Sequence, residues 1–269
     1  MHKEWVMEYE RMIEDIRYTK SDIAGYIHKY IPEKLFRYRK FDQNEYGKMD
    51  LYDGKTFLSK VSDFNDPFDS LVRINVKIAE KHPKIVELAY NNGGYLYKDN
   101  AMNEFRVSFD EIATSIGRDM QQIIRVACFT ERNDSILMWS HYADCHQGFC
   151  IEYDTKKLNP VISNNLFPII YKNERMDITN NLYDNNPTTE LRTILYKALD
   201  WKYEKEWRYS VVKETRFIHM KKAISAVYLG VNIDKNNYQE IHNWAKANNV
   251  KLFKGIISTK NYAIDYEEV

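Results

Sequence analysis

The chain is poor in the residues that build the common nucleotide-binding loops. Glycine numbers nine and proline six in 269 residues. Neither GxxxxGK(S/T) nor GxGxxG occurs, so phosphate binding by a Walker loop or a Rossmann turn is not expected. GxSxG is missing too, which removes the nucleophile elbow of the α/β-hydrolases. Without glycine-rich βα turns, a doubly wound parallel sheet is not expected either. The three cysteines, Cys128, Cys145 and Cys150, form no disulfide framework and favour a reducing, cytoplasmic setting. No apolar run approaches the roughly 18 to 20 residues that cross a bilayer. The opening "MHKEWVMEYERMIEDIRYTK" is charged throughout, unlike a secretory signal. Charge of one sign is lacking as well: 39 basic residues balance 39 acidic ones, so no global field draws the chain to nucleic acid or a membrane surface. Internal repeats and low-complexity linkers are absent.

What is present suits a globular protein with a substantial core, since 44% of residues are hydrophobic. Tyrosine is abundant, with 21 copies, and serves equally in packing and in stacking on flat ligands. Residues 1–31 read as an amphipathic helical appendage, with Trp5, Met12, Ile13, Ile16, Ile23 and Ile27 at helical spacing. Residues 32–269 read as one α+β catalytic-type domain. Strands are expected at "LFRYRKF", around Thr56 to Ser59, and at "RVACFTE", "GFCIEYD", "LFPIIYK", "EWRYSVV", "AVYLGV" and "KLFKGIIS". Helices are expected over most of 73–122 (broken at "NNGGY"), in "SILMWSHYADCH", over 187–200 and over 235–248, with turns at Asp53-Gly54 and Asn65-Asp66-Pro67. Strands and helices mix without βαβ alternation, which predicts a mixed, mainly antiparallel twisted sheet with surrounding helices.

Several short stretches hold candidate chemistry. In "DWKYEKEWRYSVV", residues 200–212, strand alternation puts Glu204, Glu206 and Arg208 on one face and Trp207, Tyr209 and Val211 on the other. The three charges form either a solvated, self-paired outer face or an acid site held rigid by a buried aromatic face. "LFRYR" puts Arg37 and Arg39 together on a strand face among apolar neighbours. Buried guanidiniums need anions, here Glu204 and Glu206 or the phosphates of a ligand. "FLSKVSDFNDPFD" offers Ser59, Ser62, Asp63, Asn65, Asp66 and Asp69, as turn formers or as the rim of a site. In "MWSHYA", Trp139 and Tyr142 share one side of a helix and Ser140 and His141 turn away, giving a packing pair or a stacking wall for a flat ring. "HYADCHQGFC" gathers His141, Cys145, His146 and Cys150, but at a spacing that fits no common zinc pattern, so no metal is expected. A hydrogen-bonded histidine pair beside a cleft is the better reading. A cysteine nucleophile paired with one of these histidines has no depressed thiol pKa to argue for it.

Taken in order, "LFRYR", "FLSKVSDFNDPFD", "CFTERNDSILMWSHYADCHQGFCIEYD" and "WKYEKEWRY" resemble the motifs of the bacterial domain-of-unknown-function family 2971, from about Leu35 to Val212. More distantly, an arginine on an early strand, a serine on the next and Glu-x-Glu leading into a late strand resemble the Arg-Ser-Glu pattern of NAD-dependent ADP-ribosyltransferases. That resemblance implies a split-sheet fold with NAD as substrate and no metal. It implies that Arg39 or Arg37 holds the pyrophosphate and that Ser59 or Ser62 supports the nicotinamide pocket. Glu206 would then be the catalytic acid and Glu204 the first glutamate of the pair, while Arg208 keeps Glu206 ionised. Where the family has Ser-Thr-Ser, this chain has "LSKVS".

Three functions follow as expectations. The first is an NAD-dependent ADP-ribosyltransferase or NAD hydrolase, acting on nucleic acid, protein or water, with a bacterial defence or toxin role by analogy. In it Asn65 and Asp66 join the rim, and Trp139 and Tyr142 the stacking wall. The second is a hydrolase or nuclease using His141 and His146. The third is a non-enzymatic sensor or adaptor whose N-terminal helices bind a partner protein.

Overall fold

The computed structural model describes residues 4–15, 17–41, 45–79, 81–82, 101–180, 189–212 and 215–269. The N-terminal segment forms two helices, Glu4–Glu14 and Lys20–His28. A capping box opens the second: the Thr19 hydroxyl accepts from the Asp22 amide, and the Asp22 carboxylate accepts from the Thr19 amide. Their apolar faces are spent inside the molecule, because Tyr9, Met12, Ile13, Ile23 and Ile27 are buried in the main core. The Tyr9 hydroxyl also donates to the Pro168 carbonyl at 3.0 Å, and Arg192 donates to the Asp15 carbonyl at 2.9 Å.

The strands, in chain order, begin with β1 Lys34–Arg39, β2 Lys55–Phe57, β3 Ser59–Lys60, β4 Val72–Arg73 and β5 Ile124–Thr130. Then come β6 Phe149–Asp154, β7 Leu166–Pro168, β8 Ile170–Lys172, β9 Met176–Asp177 and β10 Tyr196–Ala198. The last are β11 Glu206–Val212, β12 Phe217–His219, β13 Ile224–Leu229, β14 Lys251–Ile257 and β15 Ile264–Glu268. The main sheet runs β15-β14-β13-β6-β1-β5-β11-β7, with β3 also on β5. Every neighbouring pair in it is antiparallel except β13 and β14. The architecture is therefore α+β with a mainly antiparallel open sheet. No helix among the described residues is long and apolar enough to cross a membrane.

Local structure departs from the sequence expectation at four places. "LFPIIYK" is two strands, because β7 pairs with β11 while β8 leaves to run parallel to β10. The strand at Thr56 to Ser59 divides likewise at Leu58, β2 going to β12 and β3 to β5. The helix expected over 187–200 is confined to Thr189–Thr193, followed by β10 and a 3-10 turn at Leu199–Glu204; residues 187 and 188 lie outside the described residues. Residues 191–197 are all buried and offer no polar face to solvent, and β8 supplies a ladder. The residues before Gly54 form a π-helical turn, Met49–Asp53, closed by Gly54 at φ 64°; a side chain there would meet Lys221 at 2.4 Å. Of the helix expected over 73–122, Val76–Ala79 and Ala101–Ile123 are helical, and the "NNGGY" break lies outside the described residues.

One irregularity in the sheet positions the site. β1 and β5 pair only through Phe36 and Thr130. Beyond that pair β1 stays with β6, and β5 stays with β3 and β11, so the two strands part. Arg37 spans the gap and donates to the Cys128 and Phe57 carbonyls, both at 3.3 Å.

Candidate active site

A cavity of about 340 Å³ opens in this gap. Its size falls within the range of small-molecule sites, roughly 300 to 1,000 Å³. Arg37 and Arg39 of β1 and the neighbouring Lys40 line one wall, and Ser59 of β3 lines it nearby. Asp69, Lys197, Glu204 and Glu206 line another, with Tyr142 and His141 from the helix Ile136–Tyr142 beside them.

The acidic wall is a closed network. Glu206, the first residue of β11, is 5% exposed, and Arg208 on the same strand face is fully buried. Arg208 Nε donates to Glu206 Oε1 at 2.6 Å, and its two terminal nitrogens donate to the Asp69 carboxylate at 2.8 and 2.6 Å. Lys197 Nζ lies 2.6 Å from Glu204 Oε2 and 3.1 Å from Glu206 Oε2. The Tyr142 hydroxyl donates to Glu204 Oε1 at 2.6 Å. Such a network is stable only when each buried charge has a partner.

The surroundings push the two glutamates in opposite directions. Burial pushes the Glu206 carboxyl up, but Arg208 and Lys197 outweigh it and hold it well below the usual range. Burial, followed by repulsion from Glu206, pushes Glu204 up, with Lys197 and Tyr142 only partly offsetting them. Glu206 is thus favoured as the anion and Glu204 is shifted toward its protonated form, a contrast of the kind acid–base sites use.

The route by which Glu204 arrives corrects the alternation argument. Glu204 ends the 3-10 turn Leu199–Glu204, and Lys205 follows in the left-handed region at φ 45° before β11 starts. Glu204 therefore shares no strand face with Glu206; the turn folds it back, and the Thr130 hydroxyl holds its carbonyl at 2.5 Å. Of the two readings of these charges, the solvated face is excluded: Glu204, Glu206 and Arg208 are buried, as are Trp207 and Tyr209.

Arg37 and Arg39 take neither glutamate as partner. Both pair through Nε with Asp50 Oδ2, at 3.1 and 3.2 Å, and Asp50 is itself buried and bonded by the Thr56 hydroxyl. Asp50 wins because the π-helical turn delivers it beneath β1, while Arg208 and Lys197 already occupy the glutamates.

Other expected residues divide between the cavity and elsewhere. Ser59 lines it, whereas Ser62 is exposed in the 3-10 turn Val61–Asp63 and sits beside Asp63. Asn65 lines it, whereas Asp66 faces a neighbouring groove and accepts from the Phe68 amide. Tyr142 is in the wall, but Trp139 is fully buried elsewhere: its ring packs edge-on against Tyr38, and its indole nitrogen donates to the Asn133 carbonyl. Trp139 is therefore no stacking wall, because its hydrogen bond and packing are satisfied inside the core. Arg208 is likewise cut off from the cavity, its donors committed to Glu206, Asp69, Ser70 and Ile194. His141 is exposed at the cavity mouth, whereas His146 stacks on Trp139 and shares a 3.1 Å hydrogen bond with Ser140. Burial pushes the Cys150 thiol up, away from a nucleophilic thiolate.

Sequence reasoning missed Asp50, Asp69 as a charge partner, and Lys197. Asp69 stood in the quoted "FNDPFD", where its spacing explained only a turn. Lys197 lies between Tyr196 and Ala198 in what read as a helix, and its only signal was a lone charge in an apolar stretch.

No curated protein and no solved structure matches the chain. Residues 138–209, which carry Tyr142, Lys197 and both glutamates of the acidic wall, match the family described as a protein of unknown function, DUF2971.

Proposed function

We propose that the cavity binds NAD and cleaves its nicotinamide–ribose bond, passing ADP-ribose to a macromolecule or to water. The observation that carries this reading is the pairing, across one cavity, of an arginine wall with two glutamates of opposite ionisation tendency. Arg39 suits a pyrophosphate through planar, forked donors, while Arg37, whose nitrogens go to Asp50 and the Cys128 and Phe57 carbonyls, braces the same wall. Ser59, paired with Val126 of β5, lines the same cavity and suits the nicotinamide amide. As the C1′–N bond breaks, its electron pair leaves with neutral nicotinamide and positive charge develops on the ribose. The fixed anion Glu206 stabilises that charge from a rigid strand. The acceptor oxygen bonds C1′ and its proton passes to Glu204, whose raised affinity for protons suits a base.

The test is incubation with NAD, following nicotinamide release and a mass shift on RNA, DNA or protein acceptors. Glu206→Gln should lower release by about 100-fold, the scale of one lost electrostatic stabiliser, with an unchanged circular dichroism spectrum. Absence of release from the unsubstituted protein with every acceptor would end the reading.

A further inference from the structure

Lys197 lies outside the roles given above to arginine, serine and glutamate. It is the middle residue of β10, 8% exposed, and its ammonium touches three carboxylates: Glu204, Glu206 and, at 3.7 Å, Asp69. Trp201 covers it, with the ring centroid 4.9 Å from Nζ. We propose that Lys197 is the positioning residue that keeps Glu204 able to give up its proton, holding its carboxylate against burial and the neighbouring Glu206, while Arg208 suffices to hold Glu206 as the anion. As a role in catalysis this rests on the NAD reading; as a property of the two carboxyls it does not.

The geometry carries the inference. Glu206 is held by two cations, Arg208 on both carboxylate oxygens and Lys197 on Oε2. Among the described residues Glu204 has one cation, Lys197, and one neutral donor, the Tyr142 hydroxyl. Arg208 is committed to Glu206 and Asp69 and does not bond Glu204. Glu204 is faced by Lys197 from β10, Glu206 from β11, Tyr142 from the helix Ile136–Tyr142 and Tyr203 from its own turn. Arg208, Cys128 and Tyr171 touch Glu206 and Asp69 faces Lys197, so these groups reach Glu204 only through its neighbours. Removing Lys197 leaves Glu206 paired with Arg208 and leaves Glu204 against Glu206 without a cation. The effect should therefore fall almost wholly on Glu204.

The experiment is an NMR titration of protein labelled with 13C at the glutamate carboxyls, with the Glu204 signal assigned by its loss in Glu204→Gln. Lys197→Met should move the Glu204 titration up by at least one pH unit, a tenfold loss of the ionised form at any pH below it. Lys197→Gln, which keeps a hydrogen-bond donor without the charge, should give the same upward shift and serves if the methionine variant does not fold. Glu206→Gln should move the signal the other way, because it removes the repelling carboxylate. Nicotinamide release should show an acid limb displaced upward by the same amount in the lysine variants. An unshifted Glu204 signal in whichever lysine variant folds overturns the proposal. If no nicotinamide is released at all, the NAD reading fails and the carboxyl titration still decides what Lys197 does.

Discussion

Glu204 and Glu206 are the same residue type two positions apart, yet their surroundings push them in opposite directions. This has a consequence for stability that can be measured without knowing the substrate. Glu206 is depressed in the fold, so the stability it contributes is present above the ordinary glutamate value of 4.5 and is lost as pH falls below it. Glu204 is raised, so its contribution is present below 4.5 and is lost as pH rises through its folded value. Near pH 7, Glu206→Gln should destabilise by about 3–5 kcal/mol, the cost of breaking a buried ion pair and stranding its partner. Glu204→Gln should cost far less, and its cost should shrink between pH 5 and pH 8. Urea unfolding of both variants at those two pH values checks the pair; equal costs for the two would contradict the division between them. At this scale, of the residues the sequence singled out, Arg37, Arg39, Ser59, Asn65, His141, Tyr142, Glu204 and Glu206 line the cavity, and Ser62, Asp66, Trp139 and Arg208 do not. The sequence did not identify their partners, because Asp50 and Lys197 lie in segments whose local pattern spoke of a turn and a helix.

At the scale of elements, the site depends on a short helix and a close crossing. The helix Ile136–Tyr142 has only seven residues and delivers Tyr142 and His141 to the cavity. Ser135 caps it by accepting from the Met138 amide. Ser135→Ala should cost about 1 kcal/mol, as for other lost caps. After this helix three residues, Asp144, Cys145 and His146, take positive φ, and Gly148 then passes under β1. A side-chain carbon on Gly148 would lie 2.1 Å from the Arg39 carbonyl, against backbone on both sides. Gly148→Ala should therefore cost more than the lost cap, about 1–3 kcal/mol as an overpacking strain. It should also lower nicotinamide release, because the strand it displaces carries Arg39. Thermal melts of both variants rank the two effects, and a harmless Gly148→Ala would show that the backbone at this crossing has room for a side chain. The strands β5, β6 and β11 were legible because runs of apolar and β-branched residues report locally. The divisions of "LFPIIYK" and of the Thr56 region were not, since each half answers to a different partner strand.

Over the whole molecule, the N-terminal helices are part of what holds the sheet's β7 edge. Tyr9 bonds the Pro168 carbonyl of β7, and Ile13, Ile23 and Ile27 are fully buried in the core shared with β5 and β11. Each such side chain contributes about 1.5–3 kcal/mol when withdrawn from water. A chain shortened to residues 32–269 should therefore melt at least about 10 °C lower, given about 2–4 °C per kcal/mol for a protein of this size, or should aggregate through the uncovered core. A truncated chain with the parent's melting temperature would mean that these helices add nothing to the fold. Because their apolar faces are already occupied, these helices could bind a partner through those faces only by leaving the core.

The sequence by itself determined the secondary-structure class, most of the strands of the main sheet, and the residue types that could make a site, because strand period, helix spacing and side-chain chemistry are properties of short stretches. Only the tertiary structure decided which charges meet. Arg208 and Asp69 are 139 positions apart and Tyr142 and Glu204 are 62 apart, and no local pattern encodes such pairings. The parting of β1 from β5, which makes the cavity, is of the same kind: it depends on which strands win the competition for each hydrogen-bonding edge once the whole chain has condensed.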